Sequence, residues 1–339
     1  MGMFPPGVEK RKILVTGLDN AGKTSILDLI QNKMVKSLEM QPTIGLMRRE
    51  AEILGHELAI YDLGGQGQYR KLYIAQPKYF EHTNAYIFVV DLQDAERYGT
   101  AVEYFEECIE LFNELNIHPK IYVFLHKFDH AYRADFNDPK KQIRDSIDSL
   151  KKRFVSIARR FKFSIEDFYK TSVFDPWSCY AATYDVWSSV ITRLGSIQEY
   201  LDRLVDGLPD VLLSLLLDEK FNIIGKKLVI DEKSNADPII DLANNAIKAL
   251  VRFKTTRIGI KLGEANFVTV EIANQAVLIK IFDADGHPFY LVLAKKTGDE
   301  QEARKVLGHL ADSMSVFLSI PENKNVDESS RLNQFENEK

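Results

Sequence analysis

The sequence predicts an α/β protein: a doubly wound, mostly parallel sheet with one antiparallel strand, followed by a smaller α+β domain. Three observations carry the prediction. Apolar runs and amphipathic stretches alternate from Lys12 to about residue 205. Those runs are near-continuous rather than alternating, as strands buried on both faces require. After about residue 206 the alternation gives way to a helix and consecutive hairpin-like strands.

The elements follow in order. KILVTG (12–17), ELAIYDL (57–63), AYIFVVDL (85–92), KIYVFLHK (120–127) and DFYKTSV (167–173) are the strands of the first domain. MRREAEILGHELAIYDLGG reads as two strands joined at Gly55-His56, which supplies the antiparallel edge strand. AVEYFEECIELFNEL (101–115) is a helix. So is 139–160, where Ile143, Ile147, Leu150, Phe154 and Ile157 fall on one stripe, with Asn137 or Asp138 before Pro139 as its start. Farther on, apolar runs flank Asp218-Glu219-Lys220, and 238–253 reads as a helix. FVTVEIANQAVLIKIF and HPFYLVLAKK flank a DADG hairpin turn, and 299–320 closes the chain with a helix. The boundaries expected are 10–205 and 208–320, with 321–339 a polar, charged tail that reads as disordered.

Bulk properties narrow the classes. A chain of 339 residues exceeds what one core usually supports. Its hydrophobic content of 45% and charged content of 27% are those of a globular protein. A net charge of −5 argues against nucleic acid as a bulk partner. Cys108 and Cys179 belong to no CxxC pair and no ligand spacing, which fits a reducing cytosol and neither a disulfide scaffold nor a structural zinc site. No apolar run reaches the roughly 18–20 residues of a membrane span. MGMFPPGVEKRK lacks a signal-peptide core and has Pro6 where a myristoylation signal wants Ser or Thr, so no direct membrane insertion is expected.

GLDNAGKT fits G-x-x-x-x-G-K-[ST] through Gly17, Gly22, Lys23 and Thr24, at the junction of the first strand and a helix. Glycines let the backbone wrap phosphates, and successive N–H groups with the helix N-terminus face the anion. Asp19, Asn20, Ala21 and Ser25 complete this cradle. Lys23 reaches β- and γ-phosphates, and the Thr24 hydroxyl ligates Mg²⁺. Asp62 ends an apolar strand, where a carboxylate holds Mg²⁺ through water. Gly65 offers an N–H to the γ-phosphate, and Gln66 follows to orient an attacking water. Thr43 in QPTIG completes the Mg²⁺ shell. Asp129, with Lys127, suits the two adjacent donors of guanine, and a backbone N–H in TSVFD, at Ser172 or Val173, suits the guanine carbonyl. These groups sit mostly at the carboxyl ends of successive strands, where such sheets bind ligands.

On GLDNAGKTS, PTIG and DLGGQ, the chain resembles the Arf-like branch of the Ras-superfamily small GTPases. HKFD, with His126 where most of the superfamily has Asn, and FYKTSVFDPWSCYAATYDVWSSVITRL are similar to the Rag GTPases. The resemblance covers about 10–205. Residues after 208 resemble, more loosely, the Rag C-terminal roadblock/longin-like domain. It implies a GTP/GDP-binding switch with Mg²⁺, with Gln66, Lys23 and Thr43 in hydrolysis, and His126, Lys127, Asp129, Ser172 and Val173 at the base. His126 in place of the Asn that ties the guanine loop to the phosphate loop implies weaker nucleotide affinity, and Gly67, where Arf proteins carry Asp, a looser loop after Gln66. Arg48, Arg49 and Arg70 read as solvated, so no cis arginine is expected and turnover is slow. The implied partners are a GTPase-activating partner that supplies an arginine or orders the switches, a homo- or heterodimer partner through 208–320, and a roadblock-type scaffold that could recruit this cytoplasmic chain to membranes. Two alternatives stay open: a nucleotide-locked binding module with little turnover, and an Arf-like trafficking switch.

Overall fold

The computed structural model describes residues 10–31, 45–137, 143–206, 208, 211–229, 240–246, 267–272, 275–295 and 300–319. The chain forms two compact units, Met1–Val190 and Ile191–Lys339.

In the first unit, β1 (Arg11–Gly17) is flanked by β3 (His56–Leu63) and β4 (Thr83–Asp91), both parallel to it. The six-stranded sheet continues through β5 (Lys120–His126) and β6 (Ile165–Thr171), with β2 (Leu46–Ile53) at the other edge. Only β2 is antiparallel, paired with β3 through the turn at Leu54 and Gly55, whose φ of 51° and 80° suit a tight hairpin. β1, β3, β4 and β5 are buried along most of their length, which is why their sequences run apolar. The order β2-β3-β1-β4-β5-β6 reverses direction at β1, so a crevice is expected beyond the carboxyl ends of β1 and β4.

The helices are α1 (Lys23–Ile30), α2 (Gly67–Ile74), α3 (Tyr98–Glu114), α4 (His130–Asn137), α5 (Ile143–Arg160) and α6 (Pro176–Ser188). The α5 stripe buries Ile147, Leu150, Phe154 and Ile157. Phe154 meets Phe105 of α3 edge-on at 4.8 Å, and Phe105 meets Phe88 of β4 at 5.2 Å. Such pairs lock the helix layer to the sheet beyond what burial alone supplies. The sequence reading missed α4, since eight residues show too little period. The start expected at Asp138 and Pro139 lies outside the described residues. Cys108 on α3 and Cys179 on α6 are free and fully buried. Trp177 and Trp187 are buried packing residues of α6.

The second unit opens with α7 (Thr192–Asp206), which the sequence reading assigned to the first domain. Its contacts explain the difference: Ile197 and Leu201 pack over Gly225, and the Gln198 amide exchanges hydrogen bonds with Lys226. The sheet is antiparallel, ordered β8 (Ile223–Leu228), β7 (Val211–Leu217), β11 (His287–Lys295), β10 (Gln275–Ala284), β9 (Phe267–Ile272). Asp218 shapes the β7–β8 turn by accepting the N–H groups of Lys220 and Asn222. DADG is a hairpin turn, with Gly286 N–H donated to Asp283 at 2.9 Å. Residues 240–246 form α8, and α9 (Glu300–Leu318) stacks Phe317 on Tyr200 of α7 at 4.4 Å. The rest of the helix expected at 238–253, and the tail 321–339, lie outside the described residues.

Candidate nucleotide site

The site grows from the end of β1. Gly17 through Gly22 form a loop in which Asn20 (φ 61°) and Gly22 (φ 90°) take left-handed backbone, and α1 starts at Lys23 with no side chain capping it from Gly22. Asp19, Ala21 and Ser25 lie along this loop and the first helical turn. Lys23 is buried and donates to the carbonyl oxygens of Gly17 and Leu18 at 3.0 and 2.8 Å. Burial lowers its ammonium to about 8, against the pull of Asp62 and Asp19. A buried cation at an uncapped helix start fits a phosphate.

Asp62 ends β3 fully buried. Its Oδ2 accepts the Thr24 hydroxyl at 2.7 Å, while Oδ1 is buried without a hydrogen-bond partner. Burial raises its carboxyl above the ordinary range. An orphaned buried carboxylate oxygen beside a hydroxyl is the donor set a hard divalent cation takes, so the residues fit Mg²⁺. Thr43 lies outside the described residues.

Gly65 rests on the phosphate loop: a Cβ there would lie 2.1 Å from Asp19 N and from Leu18 C. Only glycine permits that approach. Gln66 precedes α2, its carbonyl accepting the N–H of Tyr69 and Arg70, and its Oε1 accepting Gln68 Nε2 at 3.3 Å.

At the other end of the crevice, Asp129 follows β5. Its Oδ1 accepts Ser172 Oγ–H at 2.5 Å and its Oδ2 accepts Gln93 Nε2 at 2.9 Å. Lys127 (φ 61°) pairs with Asp91 at 2.6 Å. Ser172 and Val173 open the turn closed by Asp175 N–H on Ser172 O. His126 joins the two ends: its Nδ1 lies 3.0 Å from Thr171 Oγ1, and its ring packs so closely on Gly22 that a Cβ there would sit 2.3 Å from Cδ2. The ring thus holds the end of β5 against the loop that precedes α1.

Sequence reasoning missed Asp91 and Gln93, although both stand at the carboxyl end of a buried strand, which is itself a signal. It missed Arg97, which pairs with Asp19 at 2.6 Å. It was wrong about two arginines. Arg49 is buried against Asp28 at 2.6 Å, and Arg70 lies over the Tyr104 ring at 5.1 Å with its Nε buried.

A family model described as the Gtr1/RagA G protein conserved region matches residues 12–237. The chain belongs to this family. It is also similar to ADP-ribosylation factor-like protein alp41 of Schizosaccharomyces pombe, 39% identical over 110 residues, which are 32% of this chain and 53% of that protein. ADP-ribosylation factor 3 of Arabidopsis thaliana is 39% identical over 104 residues, 31% of this chain and 54% of that protein. The chain spans about half the length of the curated relatives it matches. Among solved structures, the Arl6 BBS3 small GTPase of Trypanosoma brucei with a bound nucleotide analogue, GppNp, is similar at 18% identity. Its TM-score is 0.40, over 53% of this chain and 97% of that one.

In this Gtr1/RagA chain, burial lowers the His126 imidazole from 6.5 to about 4, so it is neutral at pH 7. The unfolded chain protonates first as pH falls. The neutral ring's contribution is therefore complete above about pH 6.5 and is lost between there and pH 4, about 3 kcal/mol in all. Thermal unfolding at pH 7 and pH 5 should show a steeper acid loss in wild type than in His126→Asn. Equal losses would mean that His126 is not buried neutral.

Proposed function

We propose that this Gtr1/RagA family member is a guanine-nucleotide switch that binds GTP and GDP with Mg²⁺ and hydrolyses GTP slowly. The observation that carries the reading is the His126–Gly22 contact. It fixes the loop bearing Asp129, a carboxylate suited to guanine, to the loop bearing Lys23, a cation suited to phosphate.

In this reading Asp129 accepts the two adjacent donors of guanine, and Ser172 or Val173 offers an N–H to its carbonyl. Lys23 and the loop N–H groups from Asp19 to Thr24 hold the phosphates. Thr24 and Asp62 hold Mg²⁺, joined by Thr43. When bound, Mg²⁺ neutralises charge on the β- and γ-oxygens. Gln66 orients the water for in-line attack, so chemistry is positioning plus electrostatics. Gly65 and Thr43 sense the γ-phosphate, and its loss releases their loops. A partner that supplies an arginine or orders the switches raises the rate, by roughly 10³–10⁵ in the arginine case. Residues 208–320, within the second unit, serve as a homo- or heterodimer surface or dock on a roadblock-type scaffold, which can bring the chain to a membrane. Among the described residues no helix is long and apolar enough to cross one.

The test is to denature the purified protein, identify the released nucleotide by chromatography, and follow phosphate release from added GTP. Bound guanine nucleotide with slow release supports the switch, and a site that ignores GTP overturns it. Gln66→Leu should slow phosphate release at least about tenfold with nucleotide affinity unchanged; an unaltered rate would remove Gln66 from the chemistry. Sedimentation at micromolar concentration checks the second unit, and a monomer removes the homodimer.

A further inference from the structure

β4 and β5 run parallel, with Asp91 paired to His126 at their carboxyl ends. The pairing continues past both strands as two side-chain rungs. Lys127 Nζ donates to Asp91 Oδ2 at 2.6 Å, and Gln93 Nε2 donates to Asp129 Oδ2 at 2.9 Å. Each rung joins residues 36 apart in sequence, so D-x-Q after β4 brackets K-x-D after β5.

Gln93 is exposed, yet its place is set from several sides. Its backbone N–H donates to Asp91 Oδ1 at 2.9 Å. The preceding Leu92 donates its N–H to His126 O at 2.9 Å and accepts the Tyr98 hydroxyl at 2.7 Å. The Gln93 side chain also reaches Lys127 O, again from Nε2 at 2.9 Å. A carbonyl and a carboxylate are acceptors only, so the amide nitrogen faces them and both its hydrogens are used.

Asp129 is therefore anchored twice. Ser172 Oγ–H holds Oδ1 at 2.5 Å and Gln93 holds Oδ2. The two anchors follow β6 and β4, the strands on either side of β5. A carboxylate tied at one oxygen still swivels; tied at both from opposite sides, its plane is fixed. Each oxygen keeps a further acceptor site. A fixed plane matters most to a base that brings two adjacent donors at once, since both bonds then form without an ordering cost. A single donor can follow a swivelling carboxylate.

We propose that Gln93 is a positioning residue that sets base selectivity: by fixing the Asp129 carboxylate it favours a purine with two adjacent donors over one with a single donor. The assignment rests on the guanine-nucleotide reading above. Gln93 acts through Asp129 and takes no part at the phosphates, which in that reading bind at the other end of the crevice.

The experiment loads the full chain with radiolabelled GDP and Mg²⁺ and displaces it with unlabelled GDP or inosine diphosphate. The latter has the same sugar and phosphates but lacks the exocyclic amino group, so it offers one donor. Wild type should bind GDP roughly 10–10²-fold more tightly, as one charge-assisted hydrogen bond implies. Gln93→Ala should lose about tenfold in GDP affinity, the cost of ordering one side chain on binding. Its affinity for inosine diphosphate should change little, so the ratio narrows. Gln93→Glu keeps the length and shape but, ionised, cannot donate, and should fall at least as far. Both variants should keep the wild-type melting temperature and the wild-type rate of phosphate release at saturating GTP. An unchanged ratio in Gln93→Ala would overturn the proposal, and so would a Gln93→Glu chain that matches wild type. Equal losses for both diphosphates with a lower melting temperature would make Gln93 a structural residue of its loop and overturn it too. A wild type that binds both diphosphates equally would overturn the proposal and leave nucleotide binding standing. A wild type that retains no GDP would remove the underlying reading and the proposal with it.

Discussion

Asp129→Ala will lower affinity for GDP and GTP by roughly 10²–10⁴-fold. Two charge-assisted hydrogen bonds to the base would be lost, each worth about 1.5–3 kcal/mol. The carboxylate is prearranged, because Ser172 fixes one oxygen and Gln93 the other, so little ordering cost offsets the loss in wild type. Affinity for ATP, which offers no matching pair of donors, should stay as weak as before, and selectivity between the two nucleotides should collapse. Calorimetric titration with GDP and ATP checks both points. Unchanged GDP affinity would mean that Asp129 does not face the base.

The second large effect is expected at Gly22. Gly22→Ala meets two obstacles: a left-handed φ of 90°, and the His126 ring at 2.3 Å from the new Cβ. Together they should cost about 2–5 kcal/mol, read as a lower melting temperature and loss of most nucleotide binding. The obstacles can be separated. His126→Ala in the same chain removes the ring and leaves the backbone strain, so the double variant should recover part of the binding lost by Gly22→Ala. A double variant no better than the single one would show that the His126 contact does not limit this position.

The sheet of the first unit was legible because buried parallel strands have no polar face to interrupt them, as AYIFVVDL and KIYVFLHK show. The strand–loop–helix turn from Gly17 to Lys23 was legible because its glycines take local backbone conformations that other residues resist. What was not legible depends on partners distant in sequence. Arg49 reads as solvated until Asp28, 21 residues earlier, is brought beside it. Arg97 meets Asp19 across 78 residues, and no periodicity signals such a pair. His126 reads in the sequence as a missing Asn, whereas in the fold its ring packs against Gly22, a neighbour more than a hundred positions away. α7 looked like the end of the first domain because it continues the alternation of helices; its apolar face, with Ile197 and Leu201, belongs to the other core. Thr43 lies outside the described residues and keeps its place as an expectation.

The two cysteines carry a consequence for kinetics. Both are fully buried in the first unit, with burial pushing each thiol up to about 12, and the sequence holds no others. An alkylating reagent needs an exposed thiolate, so at neutral pH it must wait for this unit to open. The labelling rate is then a clock for opening events of the first unit alone, silent to anything the second unit does. A ligand that binds only the closed form should slow that clock by the factor one plus its concentration over its Kd. Timed alkylation across a GDP series would thus weigh the nucleotide's grip without a labelled nucleotide, mutation or turnover.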